Sequence, residues 1–196
     1  YRIDTMGKLV DLNKYFTEED LGTYRRDFIQ DCSFGEDQGL KILPVVRSTE
    51  NLYLNKTDWD KFARETGADM ASLSTWEGVA EVASLYHEWS GGKAFLGIDS
   101  LANYVLIASV QMGHDIYEFE DGEVRYTFDE QLAQTLWNQL YVPYAKGYYA
   151  NLGKFCSDDE KTGDILAYIG SSAGAGYFPQ EVALNQNQVY PIESEV

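Results

Sequence analysis

Short apolar runs followed by amphipathic segments recur along the chain, which is the pattern of strands that alternate with helices. Residues 40–46 and 52–54 are two such runs and predict strands, with Pro44 favouring an edge or crossing position for the first. Residues 58–65 then continue as a helix that Gly67 closes. This alternation predicts the α/β class.

Four polar residues, Arg47, Ser48, Thr49 and Glu50, separate the first two predicted strands. From the pattern alone, a hairpin loop and a crossover between two lobes are equally compatible with this break. A hairpin requires the flanking strands to pair with each other as adjacent antiparallel strands, whereas a crossover does not. The pairing of these strands therefore distinguishes the two alternatives.

Hydroxyl and carboxylate residues that cap helices mark the starts of four more predicted helices. They are Thr17 before a helix that carries Leu21, Tyr24 and Phe28 on one face, Ser74 in the segment STWE, Ser100 after a predicted strand at residues 93–98, and Thr127 in the segment TFDE. The last of these helices is predicted to end at Pro143.

The C-terminal third contains a predicted hairpin, a strand and an irregular tail. Residues 115–125 predict the hairpin, with its turn at residues 120–122. Residues 164–169 predict the strand, and small residues follow it from 170 to 176, where a backbone or a ligand can approach closely. Residues 181–196 show no period and are predicted to be irregular.

Composition excludes some classes of partner. The chain has 196 residues, of which 44% are hydrophobic and 14% aromatic, and this content predicts a folded protein. Its formal charge is -17, and the 15 Lys and Arg residues form no local patch. The field of such a chain repels nucleic acid and anionic membranes, so neither is expected as a partner.

No sequence motif for zinc, phosphate or dinucleotide binding occurs. Cys32 and Cys156 are far apart and outside any CxxC motif, which leaves open whether they pair. His87 and His114 lie in no HExxH motif, and GxxxxGK and GxGxxG are absent from the sequence. The acidic run at residues 158–160 lacks the spacing of a calcium loop and is interpreted as a solvated face. No cofactor is expected.

Polar side chains follow three of the predicted strands and form the candidate site. The groups are Arg47 and Glu50, then Asp99, Ser100 and Asn103, and finally Ser171 and Ser172. In open α/β sheets ligands bind where strands end and helices begin, because free N–H groups and side-chain oxygens converge there. Helix capping is an equally good explanation for Ser100 and Ser172.

A site of this kind is compatible with a protein that only binds its ligand, and two other functional classes also remain open at this point. A glycan-acting enzyme would need two facing carboxylates, and the sequence does not give the separation of any pair among its 32 acidic residues. A carbohydrate-binding or other interaction domain would instead present a large exposed apolar patch.

The order of several phrases resembles the sugar-type extracellular solute-binding proteins (family 1) of ABC importers. The phrases are GKLVDLNKYF, KILPVVRSTENLYLNKTDWDKF, STWEGVAEVASLY, GGKAFLGID and DILAYIGSSAG, which together span residues 7 to 178. In the family pattern "lyYNK" the residue before Asn is usually a tyrosine. This chain has Leu54 at that position, and Tyr53 lies one place earlier. The late "G-x-aM-x-i-g" strand is matched loosely by Gly163 and Ala167.

The resemblance implies a periplasmic-binding-protein-like (type II) α/β lobe, with a mixed sheet flanked by helices. In proteins of that family, two lobes close on a ligand in the cleft between them. On this basis residues 1–46 are expected to be a remnant of the first lobe, residues 47–180 the second lobe, and residues 181–196 a tail that leads back toward the hinge. The chain is thus expected to be a central fragment, dominated by the second lobe.

The resemblance also implies a function and a location. The chain is expected to be the substrate-binding component of an ABC transporter, without enzymatic activity, which delivers a small polar solute such as a sugar to permease subunits. We expect a monomer that is extracellular or periplasmic and, in the full-length protein, lipid-anchored.

By position, Glu50, Asp99, Ser100, Asn103, Ser171 and Ser172 would face the cleft, and residues 47–50 would form the hinge and one wall of it. Many relatives carry a sugar-stacking aromatic residue after the late glycine, where this chain has serine. Tyr177 and Tyr104 are the candidate substitutes for that ring.

Overall fold

The computed structural model describes residues 3, 6–35, 37–120 and 123–196. The chain forms two compact units, an N-terminal unit at Tyr1–Ser48 and a C-terminal unit at Thr49–Val196. The N-terminal unit contains two short helices and a two-stranded ribbon, and the C-terminal unit contains the main sheet.

Helices and strands alternate along the described part of the chain, which confirms the predicted α/β class. The helices are α1 (Glu18–Leu21), α2 (Arg26–Asp31), α3 (Lys56–Thr66), α4 (Trp76–Trp89), α5 (Leu101–Gln111), α6 (Glu130–Leu136), α7 (Val142–Ala145) and α8 (Cys156–Lys161). The strands are β1 (Ser33–Phe34), β2 (Gly39–Leu40), β3 (Glu50–Asn55), β4 (Leu96–Ile98), β5 (Tyr117–Glu120), β6 (Glu123–Tyr126), β7 (Ala167–Ser171), β8 (Glu181–Asn185), β9 (Gln188–Pro191) and β10 (Ser194–Glu195). Three-residue to six-residue 3-10 turns lie at Leu12–Lys14, Met70–Ser74 and Ser172–Tyr177.

The main sheet is mixed and has the strand order β10-β3-β7-β4. β4 and β7 run parallel, whereas β3 is antiparallel to both β7 and β10. The pairs β1–β2, β5–β6 and β8–β9 form separate antiparallel ribbons. The pairing of β3 with β7 and β10 shows that the hairpin alternative for the residues before β3 is wrong.

Side chains on the two faces of the main sheet enter two apolar clusters. On one face, Leu54 and Phe95 join the larger cluster with residues of α3, α4, α5 and α6, and both are at most 2% exposed. On the other face, Tyr53 and Tyr168 stack with ring centroids 4.9 Å apart and pack with Cys156 of α8. The alternation of side chains along β3 and β7 produces this division, because successive residues of a strand point to opposite faces.

Local capping signals were the most accurate of the predictions. Thr17 forms a capping box with Asp20, Ser100 caps α5, and Gly67 ends α3 in the left-handed conformation with φ 80°. Two caps are one or two residues later than predicted. Thr75 rather than Ser74 accepts the N–H of Gly78, and Asp129 rather than Thr127 caps α6.

The strand predicted at residues 40–46 is wrong for all but its first residue. β2 ends at Leu40, and the following residues continue without strand pairing. Pro44 cannot donate a ladder hydrogen bond. Val45 and Val46 are 79% and 82% exposed, so their β-branched side chains gain nothing from burial in a sheet.

The irregular tail predicted at residues 181–196 is also wrong, because β8, β9 and β10 form there. The short β10 pairs with β3 and covers an edge of the main sheet that would otherwise expose unpaired backbone groups. The Tyr190 hydroxyl donates to Asp58 at 2.7 Å and the Glu193 N–H donates to the Thr57 hydroxyl at 2.9 Å, which fixes this segment to the start of α3.

The helix predicted to end at Pro143 continues through it. A π-helical segment at Trp137–Tyr141 follows α6 and leads into α7, with Pro143 in the first turn of α7. Pro143 has no N–H to donate to the preceding turn, and the π-helical segment directly before it is where the regular hydrogen-bond pattern of the helix is interrupted. The hairpin of β5 and β6 confirms the prediction for residues 115–125, and its turn residues 121 and 122 lie outside the described residues.

Cys32 and Cys156 are both free and buried, so they do not pair. Among the described residues, no helix combines the length and apolar character that crossing a membrane requires.

Candidate functional site

The candidate residues of the C-terminal unit meet at one edge of the main sheet. β4 and β7 are parallel, so their carboxyl ends, followed by Asp99 and Ser172, lie at the same edge. β3 runs in the opposite direction and begins there, with Glu50 directly opposite Ser171. Free backbone groups and polar side chains are thus concentrated at this edge, as in ligand sites of other open sheets.

These residues are divided between two depressions, one on each face of the sheet. Leu52 of β3 and its partner Ile169 of β7 face one side and line cavity 1. Tyr168 of β7 faces the opposite side and lines cavity 2.

Cavity 1 has a volume of about 520 Å³ and is bounded by β3, the 3-10 turn at Met70–Ser74, α4, α5 and β7. Its lining residues that matter for recognition are Thr49, Glu50, Trp76, Ser100, Tyr104 and Gln111. The set combines aromatic rings with hydroxyl, amide and carboxylate groups, which is the composition of a site for a small polar molecule.

Trp76 and Tyr104 form the aromatic wall of cavity 1. Their rings meet edge to face with centroids 4.5 Å apart, and the Trp76 indole N–H donates to Gln111 Oε1 at 3.1 Å. The Tyr104 hydroxyl donates to Gln139 Oε1 at 3.5 Å, and Gln139 Nε2 donates to Glu77 at 2.8 Å. Burial, together with the nearby Glu77 carboxylate, raises the pKa of Tyr104 above its usual range, so its hydroxyl stays protonated.

Glu50 is fixed at the polar end of cavity 1. Asn103 Nδ2 donates to Glu50 Oε1 at 2.7 Å, which connects the start of β3 to the first turn of α5. Ser100 lines the cavity and also accepts the Asn103 N–H at 3.2 Å. The hydroxyl of Ser100 therefore combines the capping function that the sequence indicated with a position at the cavity surface.

Cavity 2 has a volume of about 870 Å³ and lies beside α8 and the 3-10 turn that follows β7. Asp99, Ser171 and Tyr177 line it. Asp99 Oδ1 accepts the Cys156 N–H at 2.8 Å, and the Ser171 hydroxyl accepts the Ala173 N–H at 3.2 Å. Both oxygens are thus occupied by backbone donors, and Tyr177 is 78% exposed.

Ser172 connects β7 to the residue before β3. Its hydroxyl accepts the Thr49 N–H at 3.1 Å, and its own N–H donates to the Thr49 carbonyl at 2.7 Å. Ser172 lines neither cavity 1 nor cavity 2, and its contacts are those of a structural link.

Arg47 belongs to the N-terminal unit and is engaged there. Its Nη1 lies 3.2 Å from Asp31 Oδ2, and its guanidinium carbon lies 4.9 Å from the centre of the Phe28 ring. Nη2 also lies 3.7 Å from the Cys32 sulfur. The structure therefore brings together Glu50, Ser100 and Asn103, places Asp99, Ser171 and Tyr177 around cavity 2, and leaves Arg47 in the other unit.

Trp76 and Gln111 line the cavity but were absent from the sequence-based candidates for the site. Trp76 is the first residue of α4, and it packs against the larger apolar cluster while it also lines the cavity. Gln111 is at the far end of α5 and carries no motif. A Trp at the first position of a helix, directly after a cap, is a signal that would have identified the first of them.

Comparisons of sequence and structure give different results. Neither a family model nor a curated protein matches the sequence. Among solved structures, UgpB from Mycobacterium tuberculosis in complex with glycerophosphocholine is similar, with a TM-score of 0.69 and 19% identity over 90% of this chain and 46% of that chain. The N-glycan transport solute binding protein NgtS from Streptococcus pneumoniae, in complex with Man1GlcNAc, has a TM-score of 0.54 and 14% identity over 86% of this chain and 39% of that chain.

This chain has a periplasmic-binding-protein-like α/β fold. The similarity covers most of the chain and confirms the expected fold, with a mixed sheet flanked by helices. The chain spans less than half of the length of each of the two structures.

Proposed function

We propose that this chain is part of the substrate-binding component of an ABC transporter, and that cavity 1 binds a small polar solute, a sugar or oligosaccharide, for delivery to permease subunits. The observation that carries the proposal is cavity 1 itself. It combines an aromatic wall with hydrogen-bonding side chains at the edge of an open α/β sheet where ligands commonly bind.

The geometry of cavity 1 suits a neutral, hydroxyl-rich ligand. A sugar presents an apolar C–H face that stacks on an aromatic ring and hydroxyls that hydrogen-bond to carboxylate and amide groups. Trp76 supplies the ring, while Glu50, Ser100 and Gln111 supply polar atoms. The complex of the structurally similar NgtS contains the glycan Man1GlcNAc, which makes that disaccharide a suitable first probe.

We further propose that the protein acts without covalent chemistry. Among the described residues that line cavity 1, Glu50 is the single carboxylate, whereas glycoside cleavage requires a facing pair. Residues 1–46 and 47–180 are proposed to derive from the first and second lobes of a solute-binding protein. We also propose that the full-length protein is a monomer, that it is extracellular or periplasmic, and that it is lipid-anchored.

Titration calorimetry tests the binding function. The probes are Man1GlcNAc, glycerophosphocholine and a panel of neutral sugars and polyols. We expect at least one sugar to bind, and Trp76→Ala to weaken its binding about tenfold because the stacking surface is lost. Trp137→Ala is the matched control, since Trp137 is 52% exposed and stacks on Tyr141 away from the cavity. A panel without any binding sugar contradicts the proposed sugar specificity.

A further inference from the structure

Apart from one histidine, all ionisable side chains with a formal charge at pH 7 on the elements that form cavity 1 are carboxylates. The boundary consists of β3, the 3-10 turn at Met70–Ser74, α4, α5 and β7, all of which are described residues. These elements contain no Lys or Arg, and they carry the carboxylates of Glu50, Glu77, Glu81 and Glu88. Their one histidine, His87, lies near the end of α4 and hydrogen-bonds to the Lys93 carbonyl at 3.0 Å.

Glu50 is the carboxylate that faces the ligand space. It lines cavity 1, and its single described side-chain partner is the neutral amide of Asn103. No ion pair of the described residues includes Glu50, so its negative charge is not neutralised. Because the cavity lies between protein walls, this charge acts on a bound molecule more strongly than it would in bulk water.

Two helix starts at the same cavity would otherwise favour anions. α4 begins after Thr75 and α5 begins after Ser100, and both capping residues line the cavity. Helix N-termini carry partial positive charge and commonly bind phosphate or carboxylate groups. Here Asn103, the third residue of α5, holds the Glu50 carboxylate beside that first turn. Glu50 therefore occupies the position that an anionic ligand group would need.

We propose that cavity 1 admits neutral or cationic polar solutes and excludes anionic ones, and that Glu50 is the residue that determines this selectivity. The inference rests on the proposed function, because it names the ligand class of the same cavity. The exposed face of Trp76 is compatible with both admitted classes, since it can stack on a sugar ring or on a cationic amino group.

Matched sugars that differ in charge test the selectivity. The probes are glucose, glucosamine and glucuronate, and mannose, mannosamine and mannuronate, with Man1GlcNAc as the neutral reference. By calorimetry at low ionic strength, we expect each uronate to bind at least about tenfold more weakly than its neutral parent. The difference should narrow at high ionic strength, because salt screens the charge of Glu50.

Substitution of Glu50 separates its charge from its shape. Glu50→Gln keeps the side-chain size and an oxygen that can accept a hydrogen bond from Asn103. In this variant the dissociation constants of each uronate and its neutral parent should agree within about threefold. The control Glu88→Gln removes the same charge from an exposed position on α4 outside the cavity and should leave the difference unchanged. The thermal unfolding transition of each variant verifies that it is folded.

Two results would overturn the inference. One is a uronate that binds wild-type protein as tightly as its neutral parent, and the other is a Glu50→Gln variant that discriminates as strongly as the wild type. Failure of the proposed function gives a different result, namely no binding by Man1GlcNAc, by any matched sugar or by any member of the wider panel.

Discussion

A buried carboxyl at Glu160 is the most unusual single residue of the C-terminal unit. Glu160 is 0% exposed, and neither of its side-chain oxygens has a hydrogen-bond partner among the described residues. The solvated face predicted for residues 158–160 is therefore wrong for Glu160 and for Asp159, which is 5% exposed. Burial, and secondarily the charge of Asp58, raise the pKa of Glu160 to about 9. The group is therefore neutral in the folded protein at pH 7, because an unpaired charge in this environment would be far more costly.

The raised pKa of Glu160 predicts how stability depends on pH. In the unfolded chain this carboxyl loses its proton near pH 4.5, whereas the folded protein retains it up to about pH 9. Between these values the folded state binds one more proton, so the free energy of unfolding falls as the pH rises and levels off above pH 9. This group alone should lower it by about 3 kcal/mol between pH 4 and pH 7.

Glu160→Gln should remove that contribution. Urea unfolding at a series of pH values measures the free energy of unfolding of both proteins. The value for the variant should exceed that for wild type by an amount that grows from pH 5 to pH 9. Asp158→Asn, on the exposed side of the same helix, is the control and should give no such growth. Parallel pH profiles for wild type and Glu160→Gln would show that the carboxyl is not protonated in the folded protein.

At the scale of elements, the contact between α4 and the 3-10 turn at Met70–Ser74 shapes one wall of cavity 1. Gly78 in the first turn of α4 makes this contact possible. A Cβ at Gly78 would lie 2.0 Å from the Ser72 carbonyl oxygen, so any side chain forces the turn and the helix apart. Leu73 and Trp76 line the cavity on either side of this contact.

Gly78→Ala should therefore affect both stability and binding. We expect a loss of about 2–3 kcal/mol in the free energy of unfolding from overpacking, and weaker binding of any sugar that cavity 1 accepts. Gly176→Ala is the control, because a Cβ there meets nothing within 4 Å, and its stability should stay within about 1 kcal/mol of wild type. Unchanged unfolding and binding for Gly78→Ala would contradict the close contact.

At the scale of the whole molecule, the chain divides between Ser48 and Thr49. The residues just before this boundary belong to no strand, and Val45 and Val46 are largely exposed. The C-terminal unit has its own sheet and both apolar clusters. Exposed segments without secondary structure are preferred sites of proteolysis, whereas helices within a packed unit resist it.

Limited trypsin digestion should accordingly release a fragment that starts at Ser48 and accumulates. Cleavage after Arg47 is expected before cleavage after Arg64, which lies within α3. Mass spectrometry of the time course identifies the fragment, and Arg47→Gln should abolish it, because trypsin does not cleave after Gln. Cleavage after Arg64 that is as early as cleavage after Arg47 would contradict the boundary.

Local sequence determined where several helices begin or end, although the helix predicted from Thr17 through Phe28 is divided into α1 and α2. Thr17, Ser100 and Gly67 marked helix ends correctly, because capping hydrogen bonds and left-handed glycines involve residues only a few positions apart. The alternation of strands and helices likewise predicted the α/β class. The same local reasoning overestimated the strand before Arg47, since apolar character alone does not provide a pairing partner.

Tertiary structure decided which polar residues meet. Glu50 and Ser171 are opposite each other across β3 and β7, yet the structure assigns Glu50 to cavity 1 and Ser171 to cavity 2. Trp76 joined the site from α4, a helix whose apolar side packs in the larger cluster. Pairing partners, register and helix packing depend on contacts between residues that are tens of positions apart. The chain pattern therefore supplied the edge of the sheet as the place for a ligand, and the fold supplied the cavity.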